Sequence, residues 1–427
     1  MGNATVMRKL LLLATAIPLA ACSGTGVQTV GSTAPPAGTP TPTPATDIYS
    51  QFANPVDAKT YKGIGGELVY EYVTDSRGCC GQQGQIYAGN ASTVRDSAIT
   101  IAYDPRDAIF TLTVSDPKSG AATTTRFQDP ASRTNFGGTV EPQWGTPNLN
   151  GLTGAAAIYN NANIQYLQAG DGDPRSPYGS SGSGFIYPGT NTTPPDGDPG
   201  SSYTSTTLFY EKPGSNTKYV TFAGYVRNSL SFGTVTVGAA SFTQDVWHLE
   251  RGAFAYGAQT ANSAVPTTGT GTYNGTMLAT MVYNPTLDGA NGTELPSYFQ
   301  WLTGTANLSV NFGSRTVGMT LAGAVLNPQI DRYTSPTSAY LPGGTTFTAS
   351  GTATIDLAGT GGFKGSFVGG NFTFHNGATN LPVTVAGSSI DGAFFGPGAE
   401  EVGGGFRVVG GIPDQRIDIL GAFTAKK

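Results

Sequence analysis

The most constraining feature of the sequence is a two-residue alternation of apolar and polar side chains between residues 306 and 326. The run ANLSVNF (306–312) alternates apolar residues with Asn and Ser, and RTVGMTLAGAVL (315–326) resumes the pattern after Gly313 and Ser314. Successive side chains of a β-strand point to opposite faces, so each run has one apolar face. The spacing predicts a β-hairpin with a two-residue turn at Gly313 and Ser314.

The glycine and proline content favours β structure over the whole chain. The 427 residues include 61 Gly and 28 Pro, which weaken or break helices. The 20 Tyr and 21 Phe supply enough apolar surface for a packed core. We therefore expect an all-β protein of two or three domains.

The alternation extends through the C-terminal part of the chain and predicts eight strands. They fall at about 270–284, 304–312, 315–326, 345–357, 363–374, 388–395, 403–410 and 416–424. Eight short strands with interior glycines are typical of a small closed barrel. Several are shorter than the roughly 9 to 11 residues of a membrane-spanning strand, so we expect a soluble barrel.

Strand-like runs in the N-terminal part are less regular. They fall at 66–73, 98–103, 108–114, 206–211, 218–226 and 241–257, and Pro213–Asn216 looks like the turn of a hairpin. A stretch rich in Gly, Ser, Asp and Pro covers about 161–202. Long loops in compact domains are often functional, so this loop is the predicted ligand contact.

The N-terminus has the pattern of a bacterial export signal. Arg8 and Lys9 precede a short apolar run that ends at Cys22, and Leu19-Ala20-Ala21-Cys22 matches a lipobox. The run is too short to span a bilayer. We predict a signal peptide at 1–21 and lipidation of Cys22, the alternative being a secretory signal with a chance cysteine. Ser23, rather than Asp, after the cysteine indicates the outer membrane.

Residues 22–46 are rich in Pro and Thr and predict an extended tether. In the polyproline conformation such a tether reaches roughly 75 Å.

Cys79 and Cys80 are adjacent. They are compatible with a strained vicinal disulfide, with two free thiols or with a bridge to another chain.

Charge and the scarcity of histidine exclude several functions. Removal of residues 1–21 leaves 20 basic against 27 acidic side chains, which is unfavourable for nucleic-acid binding. His248 and His375 lie in strand-like contexts without a GxSxG motif, so we expect neither catalysis nor a metal site. Haem ligation by His248, His375 or an exposed tyrosine stays open.

A long motif near the C-terminus is specific enough to indicate a family. The segment 392–406 reads GAFFGPGAEEVGGGF and is similar to the GxFFGPxAxExGGxF signature that closes the barrel of transferrin-binding protein B and its relatives. The segments 251–257 and 265–275 resemble the passage from handle domain to barrel in that family. The matching positions are Gly392, Phe394, Phe395, Gly396, Pro397, Ala399, Glu401, Gly403, Gly404 and Phe406.

The signature residues have physical roles that do not depend on the resemblance. Gly396 and Pro397 stop a strand and turn the chain, and the residues 399–401 are expected to form one helical turn. The glycines at 403–405 permit close backbone approach. Glu401 is expected to accept backbone amides, so the motif is structural rather than catalytic.

The resemblance implies a handle-like β domain at 47–264 and an eight-stranded barrel at 265–427. It also implies a surface lipoprotein exported by a Slam-type translocon that captures an iron- or haem-carrying protein or a small solute, with a TonB-dependent receptor as a further partner. Transferrin-binding protein B has two lobes, whereas this chain has one signature.

We therefore expect a non-enzymatic receptor, lipid-anchored to the outer membrane and exposed on the cell surface, in iron or haem acquisition. The alternatives are an adhesive or structural surface lipoprotein, and a barrel that holds a small apolar ligand.

Overall fold

The computed structural model describes eleven segments of the chain. They are 49–75, 90–106, 108–115, 119–128, 143–145, 163–170, 202–284, 298–326, 341–359, 361–410 and 416–427. Their structure is almost entirely β, as predicted, with one turn of 3₁₀ helix at Asn262–Ala264. Within these segments no helix has the length and hydropathy that crossing a membrane would require.

The first sheet is antiparallel and has nine strands in the order β4-β3-β2-β1-β9-β8-β7-β6-β5. We call it the half-barrel, because β4 at one edge curls round to contact β6 near the other. Its strands are β1 (Lys59–Asp75), β2 (Asn90–Asp104), β3 (Ile109–Ser115), β4 (Ala122–Gln128), β5 (Gln143–Gly145), β6 (Ile164–Gly170), β7 (Ser202–Glu211), β8 (Val220–Val237) and β9 (Ala240–Gly257).

The second sheet closes on itself and is called the barrel. Eight strands follow the order β13-β12-β11-β10-β18-β17-β16-β14, and pairing of β13 with β14 completes the circle. The short β15 pairs antiparallel with the C-terminal part of β14. The strands are β10 (Thr270–Asn284), β11 (Tyr298–Asn311), β12 (Thr316–Val325), β13 (Thr346–Ile355), β14 (Phe363–Asn376), β15 (Thr379–Val383), β16 (Val385–Phe395), β17 (Glu401–Gly410) and β18 (Arg416–Lys426).

The prediction of an eight-stranded barrel is confirmed, with three differences of detail. Strand β11 begins at Tyr298 rather than near 304, and the short β15 was not predicted. The hairpin of β11 and β12 exists, but pairing ends at Asn311 and Thr316, so its turn has four residues instead of two. Arg315 closes that turn in the left-handed region, with φ of 56°.

Side chains fill the interior of the barrel. The alternation is clearest in β13, where Phe347, Ala349, Ala353 and Ile355 are buried inside and the Thr and Ser residues between them are exposed. Phe347 stacks on Phe372 with ring centroids 5.5 Å apart. The alternative prediction of a small apolar ligand in the barrel lumen is therefore wrong, because the described interior is occupied by its own side chains.

The half-barrel has a core of its own on its concave side. Ile99, Ile101, Leu112, Leu208 and Phe254 are almost completely buried there. All six predicted strand runs fall mainly within observed strands, and Pro213–Asn216 turns the chain between β7 and β8.

The predicted loop at 161–202 is partly wrong. Residues 164–170 form β6 and pair with β7, with Leu167 and Ala169 buried. Gln165 shares its face of the strand with Leu167 and Ala169, so a polar residue interrupts the apolar face and hides the alternation in the sequence. The rest of that stretch, 171–201, lies outside the described residues. Strands β4 and β5 were also not predicted.

The half-barrel and the barrel pack back to back at glycines of β17. A Cβ atom on Gly405 would lie 2.2 Å from the Cα of Gly65 in β1, and one on Gly403 would lie 2.6 Å from a methyl of Val220. Ile64, Val220, Ala255, Ala393 and Phe395 form the apolar seam around them. The absence of side chains at 403 and 405 therefore sets how closely the two sheets approach.

The molecule has two ends. At the first, which we call the tether end, the chain joins the half-barrel at Tyr49 and Phe52, and Phe52 packs between Tyr61 and Tyr256. The β7–β8 turn, the linker 258–269 and the barrel turns 312–315, 356–362 and 396–400 lie at this end.

The opposite end is called the loop end. There β1 stops at Asp75, β7 starts at Ser202, and β8 turns into β9 after Val237. The two ends of the barrel lie beside the corresponding ends of the half-barrel. Glu401 lies beside residues 218–220 at the tether end, and Trp301, nearer the loop end of the barrel, contacts Phe209 of β7. The segment between β12 and β13 therefore belongs to the loop end.

A Gly405→Ala substitution tests the close contact of the sheets. Its Cβ would overlap the backbone of Gly65, so we expect a loss of roughly 1–3 kcal/mol in the free energy of unfolding. Urea denaturation measures the loss. The matched control is Gly387→Ala in β16, where a Cβ would meet nothing within 4 Å, and a change within about 0.5 kcal/mol is expected. Equal losses would contradict the packing argument.

Candidate functional site

The carboxylate of Glu401 joins the two sheets. It accepts the backbone amides of Lys218 at 2.6 Å, Tyr219 at 2.7 Å and Val220 at 3.1 Å. The side chain is 4% exposed, so these bonds lie largely out of water. The structure thus confirms the prediction that Glu401 accepts backbone amides, and it adds that the donors come from the half-barrel.

The β7–β8 turn holds those three amides in place. Pro213 and Gly214 reverse the chain, with φ of 87° at Gly214, and the Gly214 amide donates to the carbonyl of Thr217 at 2.8 Å. The hydroxyl of Thr217 donates to the carbonyl of Val220, and the amide side chain of Asn216 donates to Glu211. These side-chain bonds leave the amides of 218–220 directed at the barrel.

The signature turn is fixed from the other side by the linker. The Thr260 amide donates to the carbonyl of Phe394 at 2.9 Å, and the Gly396 amide donates to the carbonyl of Ala258 at 3.0 Å. Gly396 has φ of 86° and Ala399 has φ of 60°. The predicted helical turn at 399–401 is wrong, because Glu401 already belongs to β17 and pairs with Phe395 and Lys426.

The remaining signature residues pack the barrel closure. A Cβ on Gly404 would collide with the carbonyl of Asp391, and one on Gly392 would collide with the ring of Phe363. Phe394 and Phe406 point into the barrel core, whereas Phe395 belongs to the seam between the sheets. The motif combines interior packing with contact to the half-barrel.

Charges around the junction are partly balanced. Burial raises the pKa of Glu401 above its usual value, and the three amide donors and the charge of Lys426 act against this rise. Burial likewise raises the pKa of Glu211, against the bond from Asn216 and the charge of Lys426. Lys426 therefore serves two carboxylates, one from each sheet.

A second polar group lies inside the half-barrel and was not predicted. Nη1 of Arg227 in β8 donates to both carboxylate oxygens of Glu250 in β9, at 2.8 and 2.7 Å, and Nη2 donates to Thr125 in β4 at 3.2 Å. Arg227 is 2% and Glu250 5% exposed. The bond to Thr125 ties one edge strand to the middle of the sheet. The sequence does contain a sign that Arg227 is buried. Alternate residues of a strand share a face, and Arg227 follows the buried Ala223 and Tyr225 in this alternation.

The two histidines lie in different sheets. His248 in β9 places Nε2 at 3.6 Å from Oε2 of Glu250. His375 in β14 bonds Thr348 at 3.1 Å and Asn380 at 2.8 Å, one through each ring nitrogen. His375 therefore has no ring nitrogen left for haem iron in this arrangement.

Burial acts to raise the pKa of Glu250, but the hydrogen bond from His248 and the charge of Arg227 outweigh it. The pKa of Glu250 consequently lies below its usual value.

Three predicted residues lie outside the described segments. Cys22, predicted to be lipidated, and the adjacent Cys79 and Cys80 remain predictions.

The barrel is the part of the chain that matches a known family model. Residues 265–427 match the family model described as the C-lobe and N-lobe β-barrels of Tf-binding protein B. No curated protein matches the chain in a sequence search.

Solved structures of transferrin-binding protein B are also similar. A double mutant of the Haemophilus parasuis protein is 13% identical with a TM-score of 0.26, and the match covers 86% of this chain and 76% of that one. The isotype 1 protein of Neisseria meningitidis serogroup B is 14% identical with a TM-score of 0.21, covering 87% and 77%. At these values neither structure informs what this chain binds.

The fold and the junction define the class of the protein: an all-β chain in which a closed eight-stranded barrel packs against a half-barrel. The matched residues, 265–427, contain the whole barrel and its closing signature. Residues 265–427 of the chain are a transferrin-binding protein B-like barrel.

A Glu401→Gln substitution tests the junction. The amide side chain keeps the size of Glu401 but has one acceptor oxygen and no charge for three amide donors. We expect a loss of roughly 3 kcal/mol in the free energy of unfolding, measured by urea denaturation. The control is Glu400→Gln, because the side chain of Glu400 accepts the Gly398 amide of its own turn rather than an amide of the half-barrel. A loss no larger than in this control would show that the junction bonds are not stabilising.

A Glu250→Gln substitution tests the buried ion pair. At pH 7 it removes the carboxylate charge that balances the buried Arg227, and a loss of roughly 3 kcal/mol is expected. Since the folded-state pKa of Glu250 is lowered, its contribution is present above the ordinary value of 4.5 and is lost as the pH falls below it. The stability gap between wild type and variant should therefore narrow in acid.

The control for this pH dependence is Thr125→Val. It removes the hydroxyl partner of Arg227 and no titrating group, so its stability loss should not change with pH. A gap for Glu250→Gln that stays constant between pH 7 and pH 3 would contradict the assignment.

Proposed function

We propose that the chain is a non-enzymatic receptor, lipid-anchored at Cys22 to the outer membrane, that captures a protein partner at the loop end. The observation that carries the proposal is the opposite placement of the two ends. The chain joins the half-barrel at the tether end, so a lipid on Cys22 would act on the molecule from that side.

The length of the strands separates the loop end from the tether end. Strand β8 runs from Val220 beside Glu401 to Val237, which is roughly 55–60 Å at about 3.4 Å per residue. This distance is several Debye lengths at physiological ionic strength, so a partner at the loop end is largely unaffected by the charge of the anchoring surface.

Both sheets contribute to the loop end. The segments 76–89 and 171–201 attach there to the half-barrel, and 285–297, 327–340 and 411–415 attach there to the barrel. Rigid scaffolds commonly place binding residues on the loops at one end of their strands. The proposal keeps the predicted ligand contact at 161–202, of which 164–170 form β6.

The positions next to 327–340 are held firmly. Gln300, which is fully buried, donates to the carbonyls of Leu326 and Leu341 at 3.0 and 2.8 Å and accepts the amide of Leu341 at 3.1 Å. One side chain therefore fixes both attachment points of this segment, which favours a defined binding surface.

The partner class follows from the likeness to transferrin-binding protein B. We propose an iron- or haem-carrying protein, with a Slam-type translocon for export and a TonB-dependent receptor as recipient. The two buried networks described above stabilise the scaffold, so binding depends on surface shape at the loop end.

Two exposed valines at opposite ends allow a matched test. Val237, 48% exposed, lies at the loop end, and Val56, 67% exposed, lies at the tether end. Capture of the full chain on immobilised iron-loaded transferrin, and separately on a haem-loaded carrier protein, gives the reference affinity. Val237→Glu should weaken capture at least tenfold, because it places a charge in the contact surface, whereas Val56→Glu should leave it unchanged.

Two outcomes of the capture experiment would contradict the proposal. If the wild-type chain captures neither protein, an iron- or haem-carrier is not the partner. If Val56→Glu weakens capture as much as Val237→Glu, binding does not occur at the loop end.

A further inference from the structure

The lysines of the molecule are distributed unevenly. All seven lysines in the described segments belong to the tether end, and the other two, Lys9 and Lys118, lie outside these segments. The seven are Lys59, Lys62, Lys212, Lys218, Lys364, Lys426 and Lys427.

The positions of the lysines come from both sheets. Lys59 and Lys62 open β1, and Lys212 and Lys218 flank the β7–β8 turn. In the barrel, Lys364 follows the turn into β14, and Lys426 and Lys427 end β18 beside Glu400. Six of the seven are exposed and Lys59 is half-buried. The basic surface therefore continues across the junction.

The sign of the charge reverses at this end. The chain as a whole carries a formal net charge of −5. At the tether end the seven lysines are joined by Arg106, Arg126 and Arg315, which are also exposed. The described carboxylates there are Asp57, Asp104, Asp356, Glu400, Glu211 and Glu401, of which the last two are buried. Among the described residues of the tether end, ten basic side chains therefore compare with four side-chain carboxylates that reach water.

We infer that the tether end is a docking surface for the phosphate groups of an anionic lipid surface. The inference rests on the proposed tethering, because the chain leads towards Cys22 from this end. Lysines near an anionic surface are attracted by it, and the attraction falls off within a Debye length. A tether raises the local concentration of its own domain at that surface.

The consequence is a preferred orientation. A long tether alone lets the protein tumble, whereas the seven lysines that the described segments place at the tether end turn that end to the lipid and the loop end away from it. An excess of acidic groups elsewhere in the chain favours the same orientation by repulsion.

Vesicle co-sedimentation tests the surface without the anchor. The full chain carrying Cys22→Ala is mixed with vesicles of phosphatidylglycerol and phosphatidylcholine, and with vesicles of phosphatidylcholine alone. We expect binding to the anionic vesicles only, and its loss when ionic strength is raised to about 1 M, where the Debye length is about 3 Å.

Three lysines are suitable for substitution, since their side chains are exposed and come from both sheets: Lys62, Lys218 and Lys364. Changing all three to Gln should weaken partitioning at least tenfold, given about fivefold for each lysine at an anionic surface. The matched control changes the same three to Arg, which keeps the charge and should keep the binding. Thermal unfolding of both variants confirms that they remain folded.

Several results would overturn the inference. Equal binding to neutral vesicles, or unchanged binding of the triple Gln variant, would exclude a charge-dependent docking surface. Displacement by inorganic phosphate at constant ionic strength would show a discrete anion site instead of a surface. The test uses neither the acyl chain nor a captured partner, so its failure is distinguishable from failure of the receptor proposal.

Discussion

The bonds from three consecutive backbone amides to Glu401 are the constraint on which the arrangement of the molecule depends. A buried carboxylate without partners is strongly unfavourable, and so is a buried row of unpaired amides. Each group satisfies the other only when the β7–β8 turn of the half-barrel and the start of β17 are in contact. The junction therefore specifies one relative placement of two sheets that each have a separate core.

Glycine allows that placement. The alternation of β17 puts Glu401, Gly403 and Gly405 on the face that meets the half-barrel, while Val402 and Phe406 enter the barrel core. A strand with side chains at 403 and 405 would hold the sheets too far apart for Glu401 to reach the amides of 218–220. The signature thus specifies the contact between the two sheets in two ways. The carboxylate of Glu401 binds the amides of the half-barrel, and Gly403 and Gly405, which have no side chains, let the sheets approach.

The asymmetry between the two ends follows from the same contact. Strands β8 and β17 both start at the junction and run away from it, so the β7–β8 turn and the signature turn 396–400 lie together at the tether end. The lysines of the described segments lie at this end as well. A receptor tethered at that end would present the loop end away from the lipid, with the half-barrel and barrel acting as one scaffold.

The strands of the barrel were predictable because alternation is a local property: Phe347, Ala349 and Ala353 mark β13 without reference to any other residue. Strand β6 was not predictable in this way, since Gln165 and Gln168 interrupt the apolar pattern. The strand forms through its pairing with β7. The helical turn expected at 399–401 failed for the same reason, because pairing with β16 and β18 extends β17 back to Glu401.

The sequence by itself determined the fold class, the barrel closure and the role of Glu401 as an acceptor of amides. Only the tertiary structure decided which amides it accepts, that Arg227 and Glu250 meet inside the half-barrel, and that the seven lysines of the described segments share one end. Local alternation and turn chemistry are written in neighbouring residues, whereas these contacts join positions more than a hundred residues apart or on strands whose register is set by packing.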